Sequence, residues 1–451
     1  MNGFSRVAAV TAGIFALSIS SLAAQDSGLV QYGTLLVKPD RVIPGVGRVV
    51  IPESSLFKPG DQGRRARTHY LLLIPDSPIE PPHFGATPNV VTPAATTSLS
   101  ETPASLACVY RLVAQSLGCN PNTFFTVANG GSQAIGIIDW YDNPTVKADL
   151  QYFSTYFHLP APKIEVVYCS AATCTGVTTP PPANQSTAGE IALDVQAAHA
   201  MAPHAKIILV EAFSNSYTDL MRAEDRAAQL VAAAGGGQVS NSWGGSDSAG
   251  ETSLDSHFVH TGVVFFASTG DHKGGTNVAD VEWPSTSPNV VAVGGTTILR
   301  TSSTKAFSSE KAWLDGGGGI SANEARPAYQ NGIQSAVGNR RGVPDIAGEA
   351  DPASGMYVRC QATSCGHGPW LVIGGTSLAS PLLAGIANAA AKFRASSKSE
   401  LTTIYSGLGG AKYNDIHAGK CGNGTGGAFV NAISGWDRCT GVGTPKGKTG
   451  L

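Results

Sequence analysis

The sequence predicts an α/β protein, a mostly parallel sheet flanked by helices on both faces, on the strength of two observations. Short unbroken apolar runs recur at residues 134–138, 164–167, 206–210, 238–242, 263–267 and 290–293, and runs of that length without alternation are strands buried on both faces. Helical stretches lie between them at 190–201 and 218–233, the second ended by Gly235-Gly236-Gly237. Strands alternating with helices build a parallel sheet with crossover helices. Reactive groups then belong at the carboxyl ends of the strands and in the turns that follow. A length of 451 residues gives room for one large domain and an N-terminal appendage.

The first 24 residues read as a secretory signal peptide: Arg6, an apolar run over 7–19, then Ser21-Leu22-Ala23-Ala24 with cleavage after Ala23 or Ala24. A membrane anchor needs a longer apolar span, and no later stretch supplies one, so a soluble, monomeric protein exported to the extracellular space or periplasm is expected. Residues 25–74 form a short pro-like region with β-like runs at 33–37, 48–51 and 70–74 and the basic cluster Arg64-Arg65-Ala66-Arg67. Residues 75–100 are rich in Pro, Ala, Ser and Thr and read as a flexible linker open to cleavage. The main domain occupies 101–451.

Thirty basic against 32 acidic residues, with 14% charged overall, give no electrostatic footprint for nucleic acid. Few carboxylates also mean little self-repulsion on acidification. Eight cysteines fall into four close pairs along the chain: Cys108 and Cys119, Cys169 and Cys174, Cys360 and Cys365, Cys421 and Cys439. An even count behind a signal peptide argues for disulfides, although spacing does not fix their connectivity. Zinc is disfavoured, because no Cys-x-x-Cys pairs occur and His257 and His260 lack further ligands.

Ser377 stands in Gly374-Gly375-Thr376-Ser377-Leu378-Ala379-Ser380-Pro381, ahead of an apolar helix that starts near Pro381. A hydroxyl at a helix N-terminus sits where the dipole and free N–H groups favour developing negative charge, which suits a nucleophile. Read alone, the same residues are a helix N-cap. Glu190 and Asp194 are four residues apart, so on a helix both carboxyls project from one face. Alone, Thr187-x-x-Glu190 would be a capping box; with Ser377 the pair becomes a carboxyl dyad in which one group tunes the other. Asp271 ends the buried run 263–270, and protonated it can donate to an oxyanion.

These motifs resemble the sedolisins, serine-carboxyl peptidases with a subtilisin-like fold. The likeness runs from about residue 101 to 443 and includes Gly375-Thr376-Ser377-x-x-x-Pro381, Glu190-x-x-x-Asp194, Ser240-Asn241-Ser242-Trp243-Gly244-Gly245, Gly270-Asp271 and Asp415-Ile416 with Gly435-Trp436-Asp437. The resemblance implies a subtilisin-like α/β fold and acid-range hydrolysis of peptides or proteins. It makes Ser377 the nucleophile, Glu190 the general base and acid, Asp194 its partner and Asp271 the oxyanion acid. Ser242, Trp243, Gly244 and Gly245 would bind substrate backbone. Asp139 would extend the carboxyl network, with Trp243 able to join it. One structural calcium ion would be held by Asp415 and Asp437 and by the carbonyls of Ile416, Ile433 and Gly435; a Cys421–Cys439 bridge would steady that loop. Sedolisins usually carry a much longer folded propeptide, and its shortness here is the main departure.

A glutamate base with an unperturbed pKa of about 4.3 works only near that pH, and Asp271 donates only while protonated. Two other readings compete. A conventional subtilisin would use Asp139, a histidine and Ser377, but His199 and His204 lie outside its motif. A secreted pseudo-peptidase would keep the fold as a binding module, with His272-Lys273 beside Asp271 as the place for a defect. Gly316-Gly317-Gly318-Gly319 either lines the cleft or forms a surface loop.

Overall fold

The structure, a computed structural model, describes residues 28–77, 79–84, 91–92, 100–123, 126–271, 281–422 and 429–451. The expected signal peptide, most of the linker after residue 77 and His272-Lys273 lie outside these. At the centre is an eight-stranded sheet whose order across the page is Phe307–Ala312, Val291–Arg300, Val263–Ser268, Gly237–Asn241, Ala134–Trp140, Lys206–Ala212 and Lys163–Tyr168. Ile346–Glu349 also pairs with Val291–Arg300, and only Phe307–Ala312 runs antiparallel. The six predicted runs are all strands of this sheet. Except in the edge strand Lys163–Tyr168, which is only partly buried, their residues are buried almost throughout, which is why the sequence shows apolar runs rather than alternation.

Helices Gln185–Met201 and Thr376–Ala389 pack against each other on one face, and Tyr217–Ala233 covers the strands from the other. This is the α/β architecture expected. Gln185–Met201 is buried from Thr187 to its end, so its carboxyl-bearing face has no route to bulk solvent. Its N-cap is Asn184, whose side chain accepts from the Ser186 N–H at 2.8 Å. Glu190 therefore stands a full turn inside the helix, and the Thr187 capping box does not form.

The N-terminal region joins the domain through its sheet. Val30–Tyr32, Leu35–Ile43, Gly47–Pro52 and Leu71–Pro75 form antiparallel strands that continue onto Trp370–Gly374 and then Met356–Arg359. Trp370–Gly374 leads directly into Ser377. Four disulfides link Cys108 to Cys119, Cys169 to Cys174, Cys360 to Cys365 and Cys421 to Cys439. Among the described residues no helix is long and apolar enough to cross a membrane, and no three His, Cys, Asp or Glu side chains cluster as a metal site would need.

Candidate active site

Three strand ends and two helix segments converge on Ser377. Its helix begins at Thr376, earlier than expected, and Pro381 lies inside it. Proline has no N–H to offer the carbonyl four residues back. That carbonyl belongs to Ser377, and the Ser242 hydroxyl donates to it instead, at 3.3 Å. Gly375 caps the helix with φ +108°, a value glycine adopts without a Cβ penalty. A Cβ there would strike the His69 carbonyl oxygen and come within 2.5 Å of Asp271 Oδ2.

The carboxyls expected around the serine are brought together. Glu190, Asp194 and Asp139 are each 0% exposed. None of their six oxygens completes a hydrogen bond among the described residues. Burial pushes the Glu190 carboxyl well above its usual range, and the charges of Asp194 and Asp139 push it further. The Ser377 hydroxyl is near enough to offset part of the rise, although the contact falls short of hydrogen-bond geometry. Burial likewise raises Asp194 to about 8, partly countered by nearby Ser242 and Glu190. Asp139 is raised by burial and then by Asp194 and Glu211, the latter directly opposite it on the neighbouring parallel strand. Such a cluster shares protons and titrates as a unit. The Trp243 indole N–H finds no acceptor among the described residues, so it does not join the network by a hydrogen bond.

Asp271 lies on the other side of the serine. Its Oδ1 accepts from the Thr376 N–H at 2.7 Å and from the Thr376 hydroxyl at 2.8 Å, while Oδ2 makes no hydrogen bond among the described residues. Burial raises this carboxyl well above its usual range despite the two Thr376 donors. With Oδ1 committed as acceptor, Oδ2 is the oxygen left to carry a proton. The Gly316–Gly319 run is buried rather than a surface loop. It packs behind Asp271, with the Gly317 N–H donating to the Gly270 carbonyl at 2.7 Å.

A peptide already lies in the cleft, and it is the chain itself. Arg67–Thr68 pairs antiparallel with Trp243–Ser246, Trp243 opposite Thr68 and Gly244 opposite Arg67. Next in line, the His69 N–H donates to the Ser242 carbonyl at 3.2 Å and to Ser377 Oγ at 3.1 Å. The Ser377 N–H donates to the His69 carbonyl at 3.0 Å, and Ser377 Oγ–H donates to the Ser242 carbonyl at 3.2 Å. Gly245 instead pairs with Trp283. Sequence reading missed this occupant. Its only local trace is the basic cluster at 64–67, which by itself says nothing about where the segment lies.

Among the described residues no histidine serves Ser377. The His69 ring is held at both nitrogens, Nδ1 by Ser268 Oγ at 2.7 Å and Nε2 by Glu282 Oε2 at 2.8 Å. His199 is buried near the far end of its helix against the Pro160 carbonyl, and burial lowers it to about 4. His204 bonds Asn129 at the surface, and His257 bonds Asp225.

The C-terminal acids form a second cluster. Asp415 accepts from the Ser434 hydroxyl at 2.8 Å and from the Gly435 N–H, joining the two predicted segments. Asp437 accepts from the N–H groups of Ile433, Cys439 and Thr440 and from the Thr440 hydroxyl. The carbonyls of Ile416, Ile433 and Gly435 accept no hydrogen bond among the described residues. Two carboxylates and three uncommitted carbonyls are hard oxygen donors of the kind calcium takes, so the residues fit that ion.

Residues 183–403 match the subtilase family. Kumamolisin of Bacillus sp. (strain MN-32) is 30% identical over 350 residues, covering 71% of this chain and 59% of that protein. Sedolisin of Pseudomonas sp. (strain 101) is 36% identical over 180 residues, 36% of this chain and 28% of the relative. The chain thus spans less than two thirds of the length of either. A solved structure of Pseudomonas sedolisin, a serine-carboxyl proteinase complexed with pseudo-iodotyrostatin, superposes with a TM-score of 0.61 at 25% identity, covering 78% of this chain and 96% of that one. The fold is subtilisin-like, with carboxyl groups rather than an imidazole gathered at the serine. In sequence and in fold the chain is similar to the sedolisins.

Proposed function

We propose that the chain is a secreted serine-carboxyl endopeptidase that hydrolyses peptide bonds in acid through an acyl-enzyme, with Ser377, Glu190 and Asp194 as its triad. The observation that carries the reading is the His69 carbonyl resting on the Ser377 N–H, with the serine hydroxyl beside it and Glu190 behind. A peptide carbonyl is thereby presented to a nucleophile and to an oxyanion donor together. Ser377 Oγ attacks that carbon while its proton passes to Glu190. Asp194 holds Glu190 and tunes its charge. The oxyanion is met by the Ser377 N–H and by protonated Asp271 Oδ2. Glu190 then gives its proton to the leaving amine, and water reverses the sequence. Glu190 must take up the serine proton while Asp271 stays protonated, so the proton shared among Glu190, Asp194 and Asp139 limits activity on the acid side and ionisation of Asp271 limits it on the alkaline side.

Four disulfides support an oxidising, secreted setting. One calcium ion at Asp415 and Asp437, with the carbonyls of Ile416, Ile433 and Gly435, would supply structural rigidity and no chemistry. The test is digestion of a peptide library by the purified protein at several pH values, read by mass spectrometry. Cleavage near pH 4 that fades by about pH 8 is expected. A protein that cuts nothing at any pH is the binding module instead.

A further inference from the structure

The chain's own segment shows how the cleft treats side chains. His69 donates and accepts backbone hydrogen bonds as the residue on the amino side of a cleaved bond must, which makes His69–Tyr70 the bond presented to Ser377. The His69 ring enters a pocket closed by Ser268 Oγ at 2.7 Å and Glu282 Oε2 at 2.8 Å. Glu282 is 2% exposed and also takes the Arg67 guanidinium on Oε1. Gly244 makes room for the ring, since a Cβ there would come within 2.8 Å of His69 Cε1. A buried carboxylate is expensive without a cation, and both of its cations, the His69 ring and the Arg67 guanidinium, come from the threaded segment, so Glu282 is left unpaired until basic side chains of a bound peptide replace them.

We propose that Glu282, aided by Ser268, selects peptides with a basic residue, imidazolium or guanidinium, immediately before the cleaved bond. The inference rests on the peptidase reading above and names its substrate class. Burial raises the Glu282 carboxyl, but the charges of Arg67 and His69 and their hydrogen bonds outweigh it and leave the group lowered to about 2. It therefore stays a carboxylate through the acid range in which an imidazole is protonated. Cleavage adds water across one C–N bond, hydroxyl to the acyl carbon of His69 and hydrogen to the nitrogen of Tyr70.

The test uses the full-length protein brought to about pH 5 with internally quenched peptides Ala-Arg-Thr-Xaa-Tyr-Leu, Xaa being His, Arg, Leu or Glu. Intact mass and N-terminal sequencing follow the chain's own bond in the same samples. The His and Arg peptides should be cut after Xaa with kcat/KM at least about tenfold above the Leu and Glu peptides. Glu282→Gln should bring all four within about threefold. Should Glu282→Gln fail to fold, Ser268→Ala is read instead, and it should slow the His peptide more than the Arg peptide. In the chain itself, a fragment beginning at Tyr70 should appear for wild type and His69→Arg and at least about tenfold more slowly for His69→Leu. Equal rates across the four peptides, or a preference that survives Glu282→Gln, overturns the selectivity while leaving the peptidase intact. If neither the peptides nor the chain is cut, the peptidase reading itself is overturned.

Discussion

Two glutamates flank the same short stretch of backbone, and they stand in opposite states. Glu190 and Glu282 are both fully buried beside the His69–Tyr70 bond. Glu190 faces other carboxyls, so burial and repulsion drive it toward the protonated form. Glu282 faces Arg67 and His69, and their charges reverse the effect of an equal burial. Burial alone therefore fixes neither the charge nor the role of a carboxyl. What faces it decides. The first kind of site can exchange a proton during turnover, while the second holds a charge and recognises a cation.

The largest expected effect is on turnover. Ser377→Ala should lose at least about 10⁴-fold in kcat/KM in a peptide assay while its circular dichroism is unchanged. A residual rate within tenfold of wild type would leave Ser377 outside the chemistry. Asp271→Asn is smaller and differs in kind. An amide donates at any pH, so the variant should lose about tenfold at the optimum and show a flattened alkaline limb.

Stability should follow the contrast between the two glutamates. Asp194 and Glu190 bind protons more tightly folded than unfolded, so the stability they contribute is complete below the unfolded carboxyl pKa of about 4. It is lost as pH rises through the folded value, about 8 for Asp194. Tm should fall on the order of 10 °C between pH 4 and 8, and Asp194→Asn should shrink that slope. Glu282 has the reverse sign: its contribution is present above about 4.5 and is lost as pH falls toward about 2. Calorimetry of Glu282→Gln should therefore lose stability at pH 5 to 7 and lose little at pH 2. The smallest effect concerns calcium. Chelator should lower Tm by a few degrees and added calcium restore it, with Asp437→Ala insensitive to both.

The parts of this molecule legible in the sequence are those written locally. Buried strands appear as unbroken apolar runs, and the spacing of Glu190 and Asp194 places both on one helical face. Helix starts were less legible. Pro381 looks like a first-turn residue, yet it lies inside the helix because the Ser242 hydroxyl satisfies the carbonyl it strands. The segment at 64–70 was not legible at all. Its partners, Trp243, Gly244, Glu282 and Ser377, are about 175 to 310 residues away, and backbone pairing over such distances leaves no periodicity to read. Glu282 sits in no motif and is identifiable only from what it touches.

The central claim is that a carboxyl, not an imidazole, is the base for Ser377. The direct measurement is kcat/KM of Glu190→Gln beside wild type from pH 3 to 8, on protein whose fold is verified by circular dichroism. The account predicts a loss of about 10⁴-fold or more at every pH, with wild type most active in acid. A Glu190→Gln protein retaining near wild-type activity, or a wild-type rate that climbs toward neutrality, would contradict it.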